Sequence, residues 1–217
     1  MPTVLCYGDS NTHGTPPMAD LDACARFGPG TRWPGVMAEA LGADWTVIEE
    51  GLPGRTTVHD DPIEGAWKNG LTVLPAILDS HRPIDLVVIL LGCNDLKACF
   101  SVTAADIAES CGRLVRTVQA SAAGPDGAAP AVLLVSPPPV EETGVLAEMF
   151  AGGAKKSRGL AGAISAVAER TGAGFFDART VASVDPLDGI HYSADTHRAL
   201  GLAMADRVAQ EMQGTAR

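Results

Sequence analysis

Apolar residues are concentrated in five short runs, at positions 3–7, 45–49, 86–91, 132–135 and 174–176. The third run contains no polar residue, which is typical of a strand buried on both faces of a parallel sheet. Between the runs, apolar residues recur at helical spacing and predict helices at 33–41, 71–78, 103–121, 155–170 and after Ser193. This alternation predicts an α/β fold, a three-layer α/β/α sandwich with a central five-stranded parallel sheet.

The length and composition of the chain agree with a single domain that spans residues 1–217. Apolar residues make up 46% and charged residues 19% of the sequence, so we expect disorder only in the last few residues. The formal net charge of −10 disfavours binding to nucleic acids and to anionic membranes, because an acidic surface repels phosphate groups.

The sequence carries no signal-peptide pattern and no apolar stretch long enough to cross a bilayer. We therefore expect a cytoplasmic protein that does not bind a membrane. The five cysteines are odd in number and do not follow a zinc-binding spacing. They are expected to be free thiols, buried or partly buried, in a reducing compartment.

Four polar segments lie where they can reach one edge of the predicted sheet. Three directly follow predicted strands, at residues 7–11, 50–54 and 91–95, and the fourth, at residues 188–191, precedes the last helix. The carboxyl ends of parallel strands share one edge, where the active groups of α/β proteins lie. We therefore expect the four segments to converge there, although each one alone is also compatible with a helix cap or a turn.

The residue types in these segments suit nucleophilic catalysis. Ser10 offers a hydroxyl that needs a neighbouring base, and Gly51 offers a backbone N–H without a side chain in front of it. The Asn94 amide can stabilise a developing oxyanion. The spacing of Asp188 and His191 lets one loop present both, so that the carboxylate orients the imidazole towards a serine.

In this order the four segments resemble the four sequence blocks of the SGNH hydrolases, also called GDSL esterases, from residue 4 to the last helix. The resemblance implies the flavodoxin-like fold of that family. It also implies a serine esterase that needs no metal and no organic cofactor. Its catalytic residues would be Ser10, Asp188 and His191, and its oxyanion hole would consist of Ser10, Gly51 and Asn94.

The stretches at 47–57, 90–97 and 135–139 are similar to the bacterial arylesterase/acyltransferase branch. Two positions depart from the pattern. Asn11 stands where the family often has leucine, and His13 stands where tryptophan is expected in close relatives. Both are expected to contact the substrate, together with Pro53 and Cys93.

This branch implies hydrolysis of short-chain acyl esters, such as aryl or alkyl acetates, and transfer of the acyl group to alcohols or peroxide. The expected partner is a small-molecule ester, and homo-oligomers are common in the branch. A carbohydrate O-acetyl esterase and a lysophospholipase or thioesterase of the same fold remain alternatives. A non-enzymatic binding protein is disfavoured, because the residue type of every chemical group is retained.

Three other features could be functional but also have a structural interpretation. The run at residues 59–61 reads His-Asp-Asp, and a solvated acidic loop is favoured over a metal site because no further ligands cluster nearby. Cys93 is expected to be a packed thiol instead of a nucleophile. Arg55 either binds a carboxylate or braces its loop.

Two aspartates and two histidines are expected to have structural or peripheral roles. Asp9 is interpreted as a structural hydrogen-bond acceptor, and Asp95 is expected to hold its own loop. His81 and His197 are expected at the periphery.

Overall fold

The computed structural model describes residues 1–215, with side chains up to residue 213. Five strands form one parallel sheet, and their bounds are Thr3–Gly8 (β1), Thr46–Gly51 (β2), Leu86–Leu90 (β3), Ala131–Ser136 (β4) and Gly174–Asp177 (β5). Their order across the sheet is β2-β1-β3-β4-β5. The disorder that we expect in the last few residues concerns a part of the chain that lies outside the described residues.

The α-helices of the described residues are Ser10–His13 (α1), Trp33–Leu41 (α2), Gly70–His81 (α3), Ala104–Gln119 (α4), Gly153–Ser157 (α5), Leu160–Thr171 (α6) and Ala194–Thr215 (α7). Short 3-10 turns occur at Ala66–Lys68, Asn94–Leu96, Ala98–Phe100, Pro125–Gly127, Gly144–Leu146 and Ala178–Thr180. None of the described helices has the length and apolar character that crossing a membrane requires.

The two faces of the sheet pack against different helices. Val87 and Ile89 of β3 belong to a core shared with α3, α4 and α6. Leu86, Val88 and Leu90 belong to the other core, with α2 and α7. Successive side chains of a strand point to opposite faces, so a strand that packs against helices on both faces must be apolar at every position, as β3 is. The predicted three-layer sandwich with a five-stranded parallel sheet is confirmed.

The predicted helices at 33–41 and 103–121 are confirmed to within two residues. Thr103 and Asp106 form a capping box at the start of α4. The helix predicted at 71–78 is longer, because Asn69 caps its first turn and the helix continues past Pro75. The helix predicted at 155–170 is wrong as one element. It is divided into α5 and α6 at Gly159, a residue of low helix propensity.

All five cysteines are free. Cys6, Cys93 and Cys111 are buried, but Cys24 and Cys99 are exposed, so the expectation of buried or partly buried thiols is wrong for these two. The reason is local, since Cys24 lies in the irregular segment between α1 and α2, and Cys99 lies in a 3-10 turn.

Candidate active site

Ser10, His191 and Asp188 form a continuous hydrogen-bonded chain. Ser10 begins α1 directly after β1, and the other two lie in the loop before α7. His191 Nε2 is 3.1 Å from Ser10 Oγ, and His191 Nδ1 is 2.7 Å from Asp188 Oδ2. Because an ionised carboxylate only accepts hydrogen bonds, Nδ1 carries the proton and Nε2 is left to accept the serine proton.

The Asp188 carboxylate is enclosed by donors. Its Oδ1 accepts the backbone N–H groups of Ile190 and His191, both at 2.9 Å, and its Oδ2 also accepts the N–H of Met18 at 2.8 Å. Burial acts to raise the pKa of Asp188, but the hydrogen bonds from the His191 side chain and backbone outweigh it and hold the pKa below its usual value. The carboxylate is therefore charged at neutral pH and fixes the imidazole.

Asn11 joins the serine segment to the histidine loop. Its Nδ2 donates to the carbonyl of Ile190 at 3.1 Å, and its Oδ1 accepts the N–H of Tyr192 at 3.1 Å. Both polar ends of this buried amide are thus used inside the protein, and Asn11 is not among the cavity-lining residues. The prediction that Asn11 contacts the substrate is wrong in this structure, because the side chain braces the loop on both sides of His191.

Asn94 and Ser10 lie on the same cavity, as the sequence predicts. Asn94 Nδ2 donates to the Arg55 carbonyl at 3.1 Å and makes a longer contact of 3.4 Å with Asp9 Oδ2. The Asn94 amide hydrogen that faces Asp9 is therefore held more weakly than the one that faces the Arg55 carbonyl. Within residues 1–215, the backbone N–H of Ser10 has no hydrogen-bond acceptor.

Gly51 has a different role from the predicted one. It is the last residue of the edge strand β2, and the N–H of the next residue, Leu52, donates to the Gly8 carbonyl of β1 at 3.1 Å. Successive N–H groups of a strand point to opposite sides, so the Gly51 N–H points to the open edge, away from Ser10. A Cβ on Gly51 would lie 2.1 Å from His13 N. The glycine is needed because α1 approaches β2 closely.

Gly54 is the glycine that lines the cavity beside Ser10 and Asn94. It adopts a φ of 79°, a left-handed conformation that favours glycine, and its N–H has no acceptor within residues 1–215. The sequence did contain this residue, three positions after Gly51 in the same segment. The spacing alone could not choose between the two, because the choice depends on where β2 ends and which way its amides point.

The cavity next to Ser10 has a volume of about 490 Å³. His13 and Pro53 line it, and their contact with the substrate stays a prediction. The apolar residues that line it include Met18, Leu21, Leu146, Met149, Phe150 and Ile190. Cys93 is not among the lining residues, because its side chain is packed in the core. Burial, chiefly, raises the pKa of the Cys93 thiol far above its usual value, so it stays protonated and unreactive.

Glu64 and Lys97 line the cavity. Together with Asp61 and Lys68 they form a group of four charged residues that we call the charged cluster. Lys97 Nζ contacts Asp61 Oδ2 at 2.9 Å and Glu64 Oε1 at 2.6 Å, and Lys68 Nζ is 3.1 Å from Glu64 Oε2. The expectation of a solvated acidic loop is wrong for Asp61, which is buried by its ion pair with Lys97. Among the described residues, no group of three or more His, Cys, Asp or Glu could hold a metal ion.

Arg55 and Asp95 fix the loops that carry the cavity residues. Arg55 Nη1 donates to the carbonyls of Gly8, at 2.9 Å, and Glu50, and its guanidinium lies 4.1 Å from the Tyr7 ring centre. It is a loop brace, the second of the two roles considered.

Asp95 accepts the N–H and hydroxyl of Thr57 and contacts His59 Nδ1 at 2.7 Å. It therefore holds the neighbouring loop, and the expectation that it holds its own loop is wrong. The reason is that the carboxylate of this fully buried residue points from the end of β3 towards the segment that follows β2.

Asp9 is a buried acceptor, as expected, and its Oδ1 accepts the N–H of Asn11 at 2.9 Å. Burial is the main cause that raises the pKa of Asp9, to about 6, although the hydrogen bond from Asn11 and the charges of His191 and Arg55 act against it. Its other oxygen, Oδ2, makes the 3.4 Å contact with Asn94 Nδ2.

The two histidines expected at the periphery differ. His81 lies at the end of α3 and its Nε2 is 2.9 Å from Glu50 Oε1. His197 is fully buried, so the peripheral assignment is wrong for it. Its Nδ1 accepts the Trp33 N–H at 3.3 Å, and it packs edge-on against aromatic rings. Burial, followed by the charges of His191 and Arg32, lowers the pKa of His197 to about 4.

Comparison with known proteins gives a family match and related solved structures. The sequence model of the GDSL-like Lipase/Acylhydrolase family matches residues 6–199. The chain is similar to the solved native aryl esterase of M. smegmatis, with 45% identity, 97% of this chain and 99% of that chain covered, and a TM-score of 0.92. It is also similar to Est24, a carbohydrate acetylesterase from Sinorhizobium meliloti, with 43% identity, 97% and 99% coverage, and a TM-score of 0.93. No curated protein matches the chain.

Proposed function

The chain belongs to the GDSL-like lipase/acylhydrolase family and is a carboxylic ester hydrolase, and from this premise we propose that Ser10 is its nucleophile. His191 is then the general base and general acid, and Asp188 orients it. The observation that carries the proposal is the unbroken chain of contacts, 2.7 Å from Asp188 to His191 and 3.1 Å from His191 to Ser10. Serine is a weak nucleophile without such a base.

Ser10 Oγ attacks the ester carbonyl while its proton passes to His191 Nε2. The Asp188 carboxylate stabilises the imidazolium that forms. The tetrahedral intermediate collapses to an acyl-enzyme, and the departing alcohol takes the proton back from His191. A water molecule then repeats the sequence on the acyl-enzyme and regenerates Ser10.

The oxyanion of the intermediate needs donors that are already in place. We assign them to the backbone N–H groups of Ser10 and Gly54 and to the Asn94 side chain. Two observations support this assignment: neither backbone N–H has an acceptor within residues 1–215, and all three residues line the cavity. Gly54 replaces Gly51, whose N–H points to the open edge of β2.

The substrates are proposed to be esters of short acyl chains. A volume of about 490 Å³ holds a small ester and its leaving group, and the lining residues Leu146, Met149 and Phe150 suit an apolar group. Transfer of the acyl group to an alcohol or a peroxide, in competition with hydrolysis, is also proposed. Product ratios at a fixed alcohol concentration measure this preference.

A homo-oligomer and a cytoplasmic location are also proposed. Leu21 and Met149, which line the cavity, have exposed side chains, and so do Ile63 and Trp67. Exposed apolar groups are common where proteins contact one another. Five free cysteines agree with a reducing compartment. The acidic net charge of −10 argues against a nucleic acid partner.

The test is hydrolysis of p-nitrophenyl acetate by the Ser10→Ala and His191→Ala variants. Both are expected to lose at least about 10⁴-fold in kcat, because the nucleophile and its base act as one unit. Ser80→Ala is the matched control, since Ser80 is an exposed serine of α3, and it is expected to keep the wild-type rate. Near-wild-type turnover by Ser10→Ala would remove Ser10 as nucleophile.

A further inference from the structure

The segment that follows β2 contains a tight turn. The Arg55 N–H donates to the Leu52 carbonyl at 3.0 Å, and Pro53 and Gly54 lie between them. Proline at the first central position and a glycine with a φ of 79° at the second are the features of a type II β-turn. Types I and II differ by a flip of the central peptide unit, which here joins Pro53 to Gly54. The turn type therefore decides where the Gly54 N–H points.

One ammonium group holds the carbonyl of that peptide unit. Lys68 Nζ donates to the Pro53 carbonyl at 2.6 Å. Because the C=O and N–H groups of a trans peptide point in opposite directions, a donor on the Pro53 oxygen fixes the direction of the Gly54 N–H. Gly54, but not Lys68, is among the described residues that line the cavity, so the carbonyl points away from the cavity and the N–H towards it.

Lys68 is itself held at both ends. Its carbonyl accepts the Thr56 N–H at 3.0 Å, which anchors its backbone to the segment that carries Gly54. Its Nζ lies 3.1 Å from Glu64 Oε2, and Glu64 Oε1 is 2.6 Å from Lys97 Nζ. Burial acts to raise the pKa of Glu64, but the hydrogen bonds and charges of the two lysines hold the pKa below its usual value. The Glu64 carboxylate is therefore charged at neutral pH and keeps Lys68 in place.

The contact with Lys68 also changes the strength of the donor. A hydrogen bond to one end of a peptide unit polarises the other end, and a charged donor does so more strongly than a neutral one. The side chain of Lys68 is 14% exposed, so water screens its charge only in part. The charge of Lys68 thus acts on the Gly54 N–H through the peptide unit, without contact to the substrate.

We infer that Lys68 is a positioning residue of the oxyanion hole: its hydrogen bond to the Pro53 carbonyl directs the Gly54 N–H at the oxyanion of the tetrahedral intermediate. The inference rests on the proposed function, in which Ser10 is the nucleophile and Gly54 is one of the oxyanion donors. Because the oxyanion develops only as the transition state forms, Lys68 contributes to kcat and not to binding of the substrate. A lysine that only stabilised the fold would change the amount of active enzyme and leave the constants of each active site unchanged.

The experiment replaces Lys68 by methionine, which has a similar length but no donor. With p-nitrophenyl acetate, kcat per active site is expected to fall by about 10- to 100-fold with little change in KM, which is less than the loss of a whole oxyanion donor. The affinity for a trifluoromethyl ketone, which forms a tetrahedral adduct with an oxyanion, is expected to fall by a similar factor. Lys155→Met, at an exposed lysine of α5, is the matched control and keeps the wild-type constants.

Active sites are counted by complete labelling with a fluorophosphonate, so a variant that folds only in part still gives all three constants. A wild-type kcat per active site in Lys68→Met would overturn the inference. A lower kcat with an unchanged affinity for the ketone would overturn it as well, because the loss would then lie outside oxyanion stabilisation.

The wild type supplies a further test that needs no variant. The amide proton resonance of Gly54 is expected to move downfield when the ketone adduct forms, because the N–H then donates to an oxyanion. An unmoved resonance would contradict the role of Lys68, which acts through this N–H. None of these results affects the nucleophile, which Ser10→Ala tests separately.

Discussion

The side-chain oxygen of Asn11 accepts the backbone N–H of Tyr192 at 3.1 Å, although 181 positions separate the two residues in the chain. Because the Asn11 nitrogen also donates to the Ile190 carbonyl, this amide holds the backbone on both sides of His191. The residue next to the nucleophile thereby sets the position of the base.

Replacement of Asn11 by alanine is expected to lower kcat by about 10²-fold with little change in KM. Displacement of His191 by about 1 Å from Ser10 carries a penalty of that order. Steady-state kinetics with p-nitrophenyl acetate measure both constants. A raised KM with an unchanged kcat would contradict the brace and return Asn11 to the substrate contacts.

Asp188→Asn is expected to lower kcat by about 10⁴-fold, because an amide no longer selects the tautomer in which His191 Nε2 accepts the serine proton. The matched control is Asp185→Asn, three residues earlier in the same loop. Asp185 Oδ1 accepts the Leu187 N–H, and the asparagine oxygen can keep that bond. A kcat for Asp188→Asn within tenfold of the wild type is incompatible with its proposed role.

Asn94→Ala is expected to lower kcat by about 10²–10³-fold and to change KM little, because its amide acts on charge that develops only in the transition state. The measurement is kcat and KM for p-nitrophenyl acetate, together with a thermal unfolding curve. A variant with the wild-type kcat and an intact fold would leave the oxyanion to the two backbone N–H groups.

The buried His197 predicts a dependence of stability on pH. Its pKa is lowered from 6.5 to about 4, so the unfolded chain binds the proton more tightly. The free energy of unfolding therefore falls as the pH decreases from 6.5 to 4, by up to about 3 kcal/mol from this residue. Asp9, whose pKa is raised to about 6, acts in the opposite direction.

His197→Gln separates the two contributions, because Asp9 is present in both proteins and cancels in the comparison. The variant is expected to be less stable than the wild type at pH 7, and the difference is expected to shrink as the pH decreases to 4.5. Urea unfolding at pH 7, 5.5 and 4.5 gives the three values. A difference that does not depend on pH would show that His197 does not titrate as its burial implies.

The sequence predicted the fold well because its signals are local. An all-apolar β3 and the capping box of Thr103 and Asp106 each determine their own element. Gly159 is also a local signal, but the helical pattern on both sides of it predicts one continuous helix, and the break between α5 and α6 is not visible in that pattern. Ser10, Asn94, Asp188 and His191 were chosen by residue type and by position at strand ends, and the structure places these four together.

Other parts of the site could not be predicted from the sequence. They depend on the direction in which backbone N–H groups point and on contacts between segments that are distant in the chain. Gly51 and Gly54 are the same residue type in the same segment. Only the direction of the backbone N–H groups along β2 shows which of the two can donate to an oxyanion. The role of Asn11 requires contacts with a loop nearly the whole chain away. The pairing of Asp61 with Lys97 joins two segments whose charges look solvated when each is considered alone.

The most direct test of the central claim is the site at which a fluorophosphonate probe reacts. Intact-mass analysis followed by peptide mapping locates the adduct. The account predicts one adduct per chain, on Ser10, and much slower labelling of His191→Ala, since His191 activates the hydroxyl. Absence of labelling, or an adduct on another serine, would contradict it.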